Sequence, residues 1–302
     1  MLGAVYGDII GSCYEVRCTK DYRFPLLPDS RFTDDTVMTA AVCDAILYND
    51  RQISAFSLKR RAMEYAVCYR QYYARYPDAG FGEMFASWAS QDTIAVQKSY
   101  GNGAAMRAVP IGYAYQTLEQ TILQTKASCM YTHRHQEAIR GAMAVSGAVW
   151  LARHKKSKQE IREWMERRFS YKLDAELDGI RSGYRFDPRT SYSVPPAIMA
   201  FLQSTDYEDA VRKAVSLGGD ADTMACIAGG IAEAYYGEIP CYIRRFCDAR
   251  LNSKPARGIR FFLCAVLFEL KSVRKDYPDA FLSKRRDKAH LVPLNILCYD
   301  IV

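Results

Sequence analysis

The sequence predicts an all-α protein, with a single compact multi-helix domain over residues 1–270 and an appendage over 271–302. Three observations lead there. Apolar residues recur at helical spacing in almost every segment. Strand-type alternation is nearly absent. The stretches between periodic segments are short, and none has the composition of a linker.

Taken in order, Met1 to Ser12 reads as a helix with Gly3, Gly7 and Gly11 on one face, suited to close packing. Thr36 to Tyr48 and Ser54 to Tyr76 are helical, the second with a basic outer face. Gly80-Phe81-Gly82 is a loop, and Met84 to Ser90 a short helix. Gly101-Asn102-Gly103 is a turn that feeds a further helix, which Pro110 shortens or kinks. Leu118 to Tyr131 and the small-residue run Glu137 to Arg153 follow, then an amphipathic basic helix, Ser157 to Phe169. Tyr171 to Val194 reads as a loop excursion, and Ser193-Val194-Pro195-Pro196 as a helix start with proline in its first turn. Ala197 to Gln203, Asp206 to Leu217 and Met224 to Tyr236 are helices, the last stopped by Gly237. Cys241 to Leu251 and Ile259 to Leu270 follow. Lys271 to His290 is charged, and Leu291 to Val302 is apolar enough to dock on the body or on a second subunit.

Composition excludes several classes. The chain has 302 residues, 49% of them hydrophobic, which is ordinary for a globular core. Its 10 cysteines form no CxxC pair. They read as reduced thiols of a cytoplasmic protein, with neither a zinc site nor a disulfide framework. The apolar start lacks a basic flank and is interrupted by Asp8, so it is not a signal peptide. No run is long enough to span a membrane. The net charge of +7 resides largely in solvated patches at 151–168 and 271–290, with no basic stripe interleaved with aromatics. Nucleic-acid binding is therefore not expected.

The chemistry concentrates in two helix starts. Thr33-Asp34-Asp35-Thr36 precedes one apolar run, and Gly218-Gly219-Asp220-Ala221-Asp222-Thr223 precedes another far downstream. Each alone reads as a helix cap. Facing each other, they would form an all-oxygen site suited to Mg²⁺ or Mn²⁺. Glu15 stands just past the end expected for the first helix, where the dipole gives it no reason to be. The glycine turn offers backbone N–H groups to an anion such as phosphate. Of Thr132-His133-Arg134-His135, His135 reads as a cap, while His133 is free to donate to a phosphate or carbonyl.

In this order, the glycine-spaced helix with Glu15, TDDT at 33–36, Gly80-Phe81-Gly82, SYGNGAAMR at 99–107, Thr132-His133 and GGDADT at 218–223 resemble the ADP-ribosylglycohydrolase family, the group that includes dinitrogenase-reductase-activating glycohydrolase. The resemblance implies an all-helical fold with a cleft holding two divalent ions, Mg²⁺ or Mn²⁺. It implies that Thr33, Asp34 and Asp35 bind metal from one side, and Asp220, Asp222 and Thr223 from the other. Glu15 would lie on a mobile loop near them. Ser99, Tyr100, Gly101, Asn102 and Gly103 would line ADP-ribose, Met106 would approach it, His133 would contact its diphosphate, and Gly82 would border the cleft.

The reaction so implied is hydrolysis at the anomeric carbon of the distal ribose, releasing ADP-ribose from an arginine or serine side chain of a modified protein. Glu15 or Asp35 would move the protons. The expected partners are the ADP-ribosylated protein and ADP-ribose itself, with the enzyme a monomer or weak homodimer. Two other readings are a non-catalytic ADP-ribose-binding or structural member, and a hydrolase of another ADP-ribosyl or nucleoside compound. A Walker A loop is absent, which argues against phosphoryl transfer.

Overall fold

In the computed structural model, which describes residues 1–48 and 53–251, helix follows helix. The first, α1 (Leu2–Arg17), leads through a loop to α2 (Asp34–Tyr48). A single 3-10 turn, Ala55–Ser57, precedes α3 (Leu58–Arg75) and then α4 (Glu83–Ala89). Two short helices, α5 (Gly103–Met106) and α6 (Val109–Ala114), are separated at Arg107 and Ala108, with Pro110 in the first turn of α6. Next come α7 (Leu118–Cys129), α8 (Gln136–Arg153) and α9 (Lys158–Phe169), capped by the side chains of Thr117, His135 and Ser157. After α10 (Leu177–Arg181) and α11 (Thr190–Leu202) come α12 (Tyr207–Val215), α13 (Ala221–Tyr236) and α14 (Cys241–Leu251). Gly237, at φ 79°, ends α13 in the left-handed conformation that glycine adopts without strain. Among the described residues there is no strand, only isolated bridges pairing Lys98 with His133 and Gly101 with Arg189. No described helix is long and apolar enough to cross a membrane.

The core is laid around α13. α1 packs along it in antiparallel register, glycine against backbone. A Cβ at Gly3 would stand 2.6 Å from the Gly229 carbonyl oxygen, one at Gly7 2.1 Å from that of Ala225, and one at Gly11 2.4 Å from that of Ala221. The expected close-packing face is therefore real, and its partner is α13. α8, α11 and α12 enclose the rest of α13. This register places Asp8 and Glu15 of α1 beside the N-terminal end of α13. Gly7→Ala forces a methyl group into backbone that cannot swing aside. It is expected to cost about 3 kcal/mol, read as a lower urea midpoint at unchanged m-value.

Three expectations need correction. α1 continues past Ser12 to Arg17, so Glu15 sits in its last turn and not on a loop. The extra turn is held by Tyr14, which is buried, packs on Phe24 at 4.7 Å and donates its hydroxyl to the Pro25 carbonyl at 2.6 Å. The long helix expected from Ser54 begins at Leu58, because Ser54 and Ser57 cap each other around the 3-10 turn. The excursion at 171–194 contains α10 and the start of α11, so Pro195 and Pro196 lie inside α11 and not in its first turn. Proline has no N–H to offer the carbonyl four residues back. The Tyr192 carbonyl, left free by Pro196, accepts instead from the Tyr184 hydroxyl at 2.9 Å. The helix expected at Ile259–Leu270, the boundary at 270 and the tail at 271–302 lie outside the described residues.

Candidate active site

The site is built on three helix ends. Asp8 lies mid-way along α1 with its carboxylate fully buried. It reaches the start of α2, where four donors converge on it. Its Oδ2 accepts from the backbone N–H of Thr33 at 2.9 Å, from that of Thr36 at 3.2 Å and from the Thr36 hydroxyl. Its Oδ1 accepts from the Thr33 hydroxyl at 2.7 Å. The first N–H groups of a helix lack partners within the helix, and here a carboxylate from another helix supplies them. The TDDT segment is thus fixed by Asp8.

Held in this way, Asp35 turns inward at 1% exposure. Its Oδ2 accepts from the Thr223 hydroxyl at 3.2 Å, which joins the start of α2 to the start of α13. Its Oδ1 is buried and has no hydrogen-bond partner. Asp222 and Asp220 face it from the start of α13. Asp8, Asp35 and Asp222 each offer a carboxylate oxygen within 4.8 Å of the others, and so do Glu15, Asp220 and Asp222. Asp222 belongs to both groups. Asp34, largely buried, belongs to neither; its Oδ1 faces Gly80, where a Cβ would stand 3.8 Å away. That glycine has φ 103°, a backbone shape that side chains resist.

Crowding these acids together is costly. Burial first, then the neighbouring carboxylates, push Asp34, Asp35 and Asp222 well above the usual carboxylate range. Burial raises Asp220 as well. It raises Asp8 to about 6 despite the four donors. Glu15, though exposed as a residue, is raised by partial burial and by the Asp220 and Asp8 charges, with Arg31 opposing. Two like charges about 4 Å apart repel by about 4 kcal/mol at the effective dielectric of a protein surface. Several such pairs exceed what a domain stable by about 5–15 kcal/mol can carry. The carboxylates must be protonated or matched by cationic charge. An all-oxygen set with one buried, unpartnered oxygen is the donor chemistry of Mg²⁺ or Mn²⁺. The residues present therefore fit a divalent ion.

The residues from the glycine turn close the site from below. Asn102 donates its amide to Asp220 at 2.8 Å and to Ser193 at 3.1 Å, so the turn is tied to the acidic cluster. Ser99 Oγ accepts from the Gly101 N–H at 3.1 Å. The Tyr100 carbonyl accepts from the backbone and hydroxyl of Thr190 while its ring is half-exposed, edge-on to His135. Met106 lies beneath, its sulfur 3.8 Å from the Thr223 hydroxyl. His133 Nε2 stands against Gly103, where a Cβ would be 3.1 Å away. Gly82 is exposed at the start of α4 and has nothing within 4 Å of its Cβ position.

Sequence reasoning placed Thr33, Asp34, Asp35, Asp220, Asp222, Thr223 and Glu15 together; the structure groups Asp35, Asp220, Asp222 and Glu15, sets the Thr33 and Thr223 hydroxyls on Asp35, and leaves Asp34 outside both groups. That reasoning missed Asp8 and Arg107. It expected the glycine turn to offer backbone N–H groups to an anion at a helix start. α5 has one turn, too short for a useful macrodipole. A buried positive charge, the Arg107 guanidinium, acts on His133, which stands against the turn.

An all-helical scaffold thus carries two carboxylate groups that could hold a metal ion, with a glycine turn tied to them. The comparisons identify its kind. The sequence profile described as ADP-ribosylglycohydrolase matches residues 1–252. The chain belongs to the ADP-ribosylglycohydrolase family. It is 26% identical to the ADP-ribosylhydrolase ARH3 of Homo sapiens, over 82% of this chain and 88% of that protein. It is 27% identical to the protein of the same name from Bos taurus, over 82% and 87%. A solved structure titled ADP-ribosylglycohydrolase-related protein complex superposes with a TM-score of 0.61 at 23% identity, covering 88% of this chain and 95% of that one. That likeness speaks for the fold.

Proposed function

We propose that the protein is a divalent-metal-dependent hydrolase that cleaves the glycosidic bond between ADP-ribose and an arginine or serine side chain of a modified protein. The observation that carries this reading is the pair of carboxylate groups sharing Asp222, set beside a glycine turn that Asn102 ties to Asp220. Asp35, Asp222 and Asp220 would hold the ions, with the Thr33 and Thr223 hydroxyls beside them. Bound there, divalent ions supply Lewis acidity and a template for sugar hydroxyls and water.

The chain's own residues do the rest. Asp8 holds Thr33 and Thr36, and so sets the direction of Asp35. Glu15, at the end of α1, has its carboxyl raised by burial and by the Asp220 and Asp8 charges, the direction that favours a group passing a proton between water and the leaving group. The Ser99–Gly103 turn and His133 would receive the ADP-ribose diphosphate. The exposed Gly80–Gly82 loop, beside Asp34, would border the modified side chain.

The test is release of free ADP-ribose from arginine- and serine-modified proteins, each with Mg²⁺, Mn²⁺ or chelator. Metal-dependent release from one substrate establishes the class and the linkage. Glu15→Gln is expected to lower kcat by about 100-fold or more, with ADP-ribose affinity within a few-fold of wild type. A loss of affinity at unchanged kcat makes Glu15 a binding group. Binding of ADP-ribose without release from either substrate sinks the hydrolase assignment.

A further inference from the structure

Arg107 has only a minor place in the site as drawn so far, yet its surroundings are specific. Its guanidinium is 1% exposed and lies 4.0 Å over the Tyr69 ring. One terminal nitrogen donates to the Thr132 hydroxyl at 2.6 Å and to the Ser128 carbonyl at 3.3 Å. It forms no ion pair among the described residues. The same Thr132 hydroxyl lies 2.9 Å from His133 Nδ1.

A threonine hydroxyl has one hydrogen, and arginine can only donate. Thr132 Oγ1 therefore accepts from Arg107. Its own hydrogen needs an acceptor, and among the described residues His133 Nδ1 is the one within reach. If Nδ1 carried a proton instead, the Thr132 hydroxyl would be buried as an unsatisfied donor, at a cost of about 1–3 kcal/mol. Nδ1 is thus unprotonated, and the ring's single hydrogen is on Nε2. The same logic governs metal-bound and catalytic histidines, where the bond made by one nitrogen sets the state of the other. Burial, and next the Arg107 charge, push the His133 imidazole well below its usual range. Nε2 has no acceptor among the described residues and stands against Gly103.

We propose that Arg107 and Thr132 are positioning residues that hold His133 as a neutral Nε2–H donor, aimed at an anionic oxygen seated on the Gly101–Gly103 turn. The identity of that oxygen as part of the ADP-ribose diphosphate rests on the function proposed above; the tautomer does not. With Nδ1 occupied as the acceptor of the Thr132 hydroxyl, the ring's hydrogen stays on Nε2, facing the turn. The unpaired guanidinium behind it supplies positive potential without touching the ligand.

The experiment uses full-length protein with ¹⁵N-labelled imidazoles. The chain has four histidines, and His133→Asn assigns the signal. Two-bond ¹H–¹⁵N correlation is expected to show His133 with a bare Nδ1 and a protonated Nε2 at pH 7. Thr132→Val keeps the volume and removes the hydroxyl; the Nε2–H form should give way to a mixture, and ADP-ribose affinity should fall about tenfold. Thr132→Ser should restore both. A protonated Nδ1 or an imidazolium in the wild type overturns the proposal, and so does an unchanged tautomer in Thr132→Val. The expected tautomer pattern in a wild-type protein that binds no ADP-ribose would leave the relay standing and overturn the proposed function.

Discussion

Asp222→Asn is expected to abolish metal-dependent turnover while making the metal-free protein more stable at pH 7. The opposite signs follow from one cause. Asp222 belongs to both carboxylate groups, so its loss strips a ligand from each. Removing a group that merely supports a ligand costs about 10–100-fold in metal affinity, and a shared ligand should cost at least the upper figure. Without metal, the same carboxylate is repelled by Asp220, Asp35, Glu15 and Asp8. Neutralising it removes that repulsion. The pH dependence follows. A carboxyl raised on folding binds its proton more tightly folded than unfolded, so it favours the folded state below its unfolded pKa. That advantage is lost as pH rises through the folded value. For Asp8 the window runs from the ordinary 3.8 to about 6. The metal-free wild type should therefore lose thermal stability from about pH 4 to 6 and beyond, and Asp222→Asn should lose less. Added Mn²⁺ should reverse the trend in the wild type, because bound metal requires ionised ligands. Calorimetric Mn²⁺ titration and melting curves with chelator at pH 4.5 and 7.5 measure both. An Asp222→Asn protein that binds Mn²⁺ as the wild type does would remove Asp222 from the site.

Much of this was legible in local pattern. Gly3, Gly7 and Gly11 announced a close-packed face because a four-residue spacing has one structural meaning on a helix. TDDT and DADT announced themselves as acidic helix starts, and the helix starts are where the structure has them. What escaped were relations carried by tertiary contact. Asp8 looked like an interruption of an apolar run. Its four donors come from a segment twenty-five residues on, which no periodicity encodes. One signal was available: Asp8 and Glu15 are two helical turns apart and share a face, so a helix carrying Glu15 toward the metals would carry Asp8 there too. That inference required α1 to run past Ser12, and the extra turn depends on Tyr14 packing against Phe24. Arg107 was hidden for a related reason. Nothing in the local pattern marks it as buried, and its packing against Tyr69 depends on where α3 lies.

Asp8 itself separates support from ligation. One of its oxygens lies within 4.8 Å of oxygens of Asp35 and Asp222, so proximity alone would make it a metal ligand. The donors say otherwise. Oδ2 is engaged three times, and Oδ1 already accepts from Thr33. A carboxylate so occupied has little left to give a metal. Asp8→Asn can keep the arrangement: its carbonyl oxygen accepts from the Thr33 and Thr36 N–H groups, and its amide donates to Thr33 Oγ1. It should fold within about 1 kcal/mol of wild type, retain Mn²⁺ binding and lose the part of the acid-side stability profile due to Asp8. Asp8→Ala leaves two backbone N–H groups and two hydroxyls without an acceptor. At about 1–3 kcal/mol for each group left unsatisfied, partly offset by removal of a buried charge, the net loss should be about 2–4 kcal/mol. Asp35, no longer aimed by Thr33 and Thr36, should lose its metal with it. Urea unfolding with Mn²⁺ titration of the two variants gives the answer. Loss of Mn²⁺ in Asp8→Asn, at undiminished stability, would make Asp8 a ligand in its own right.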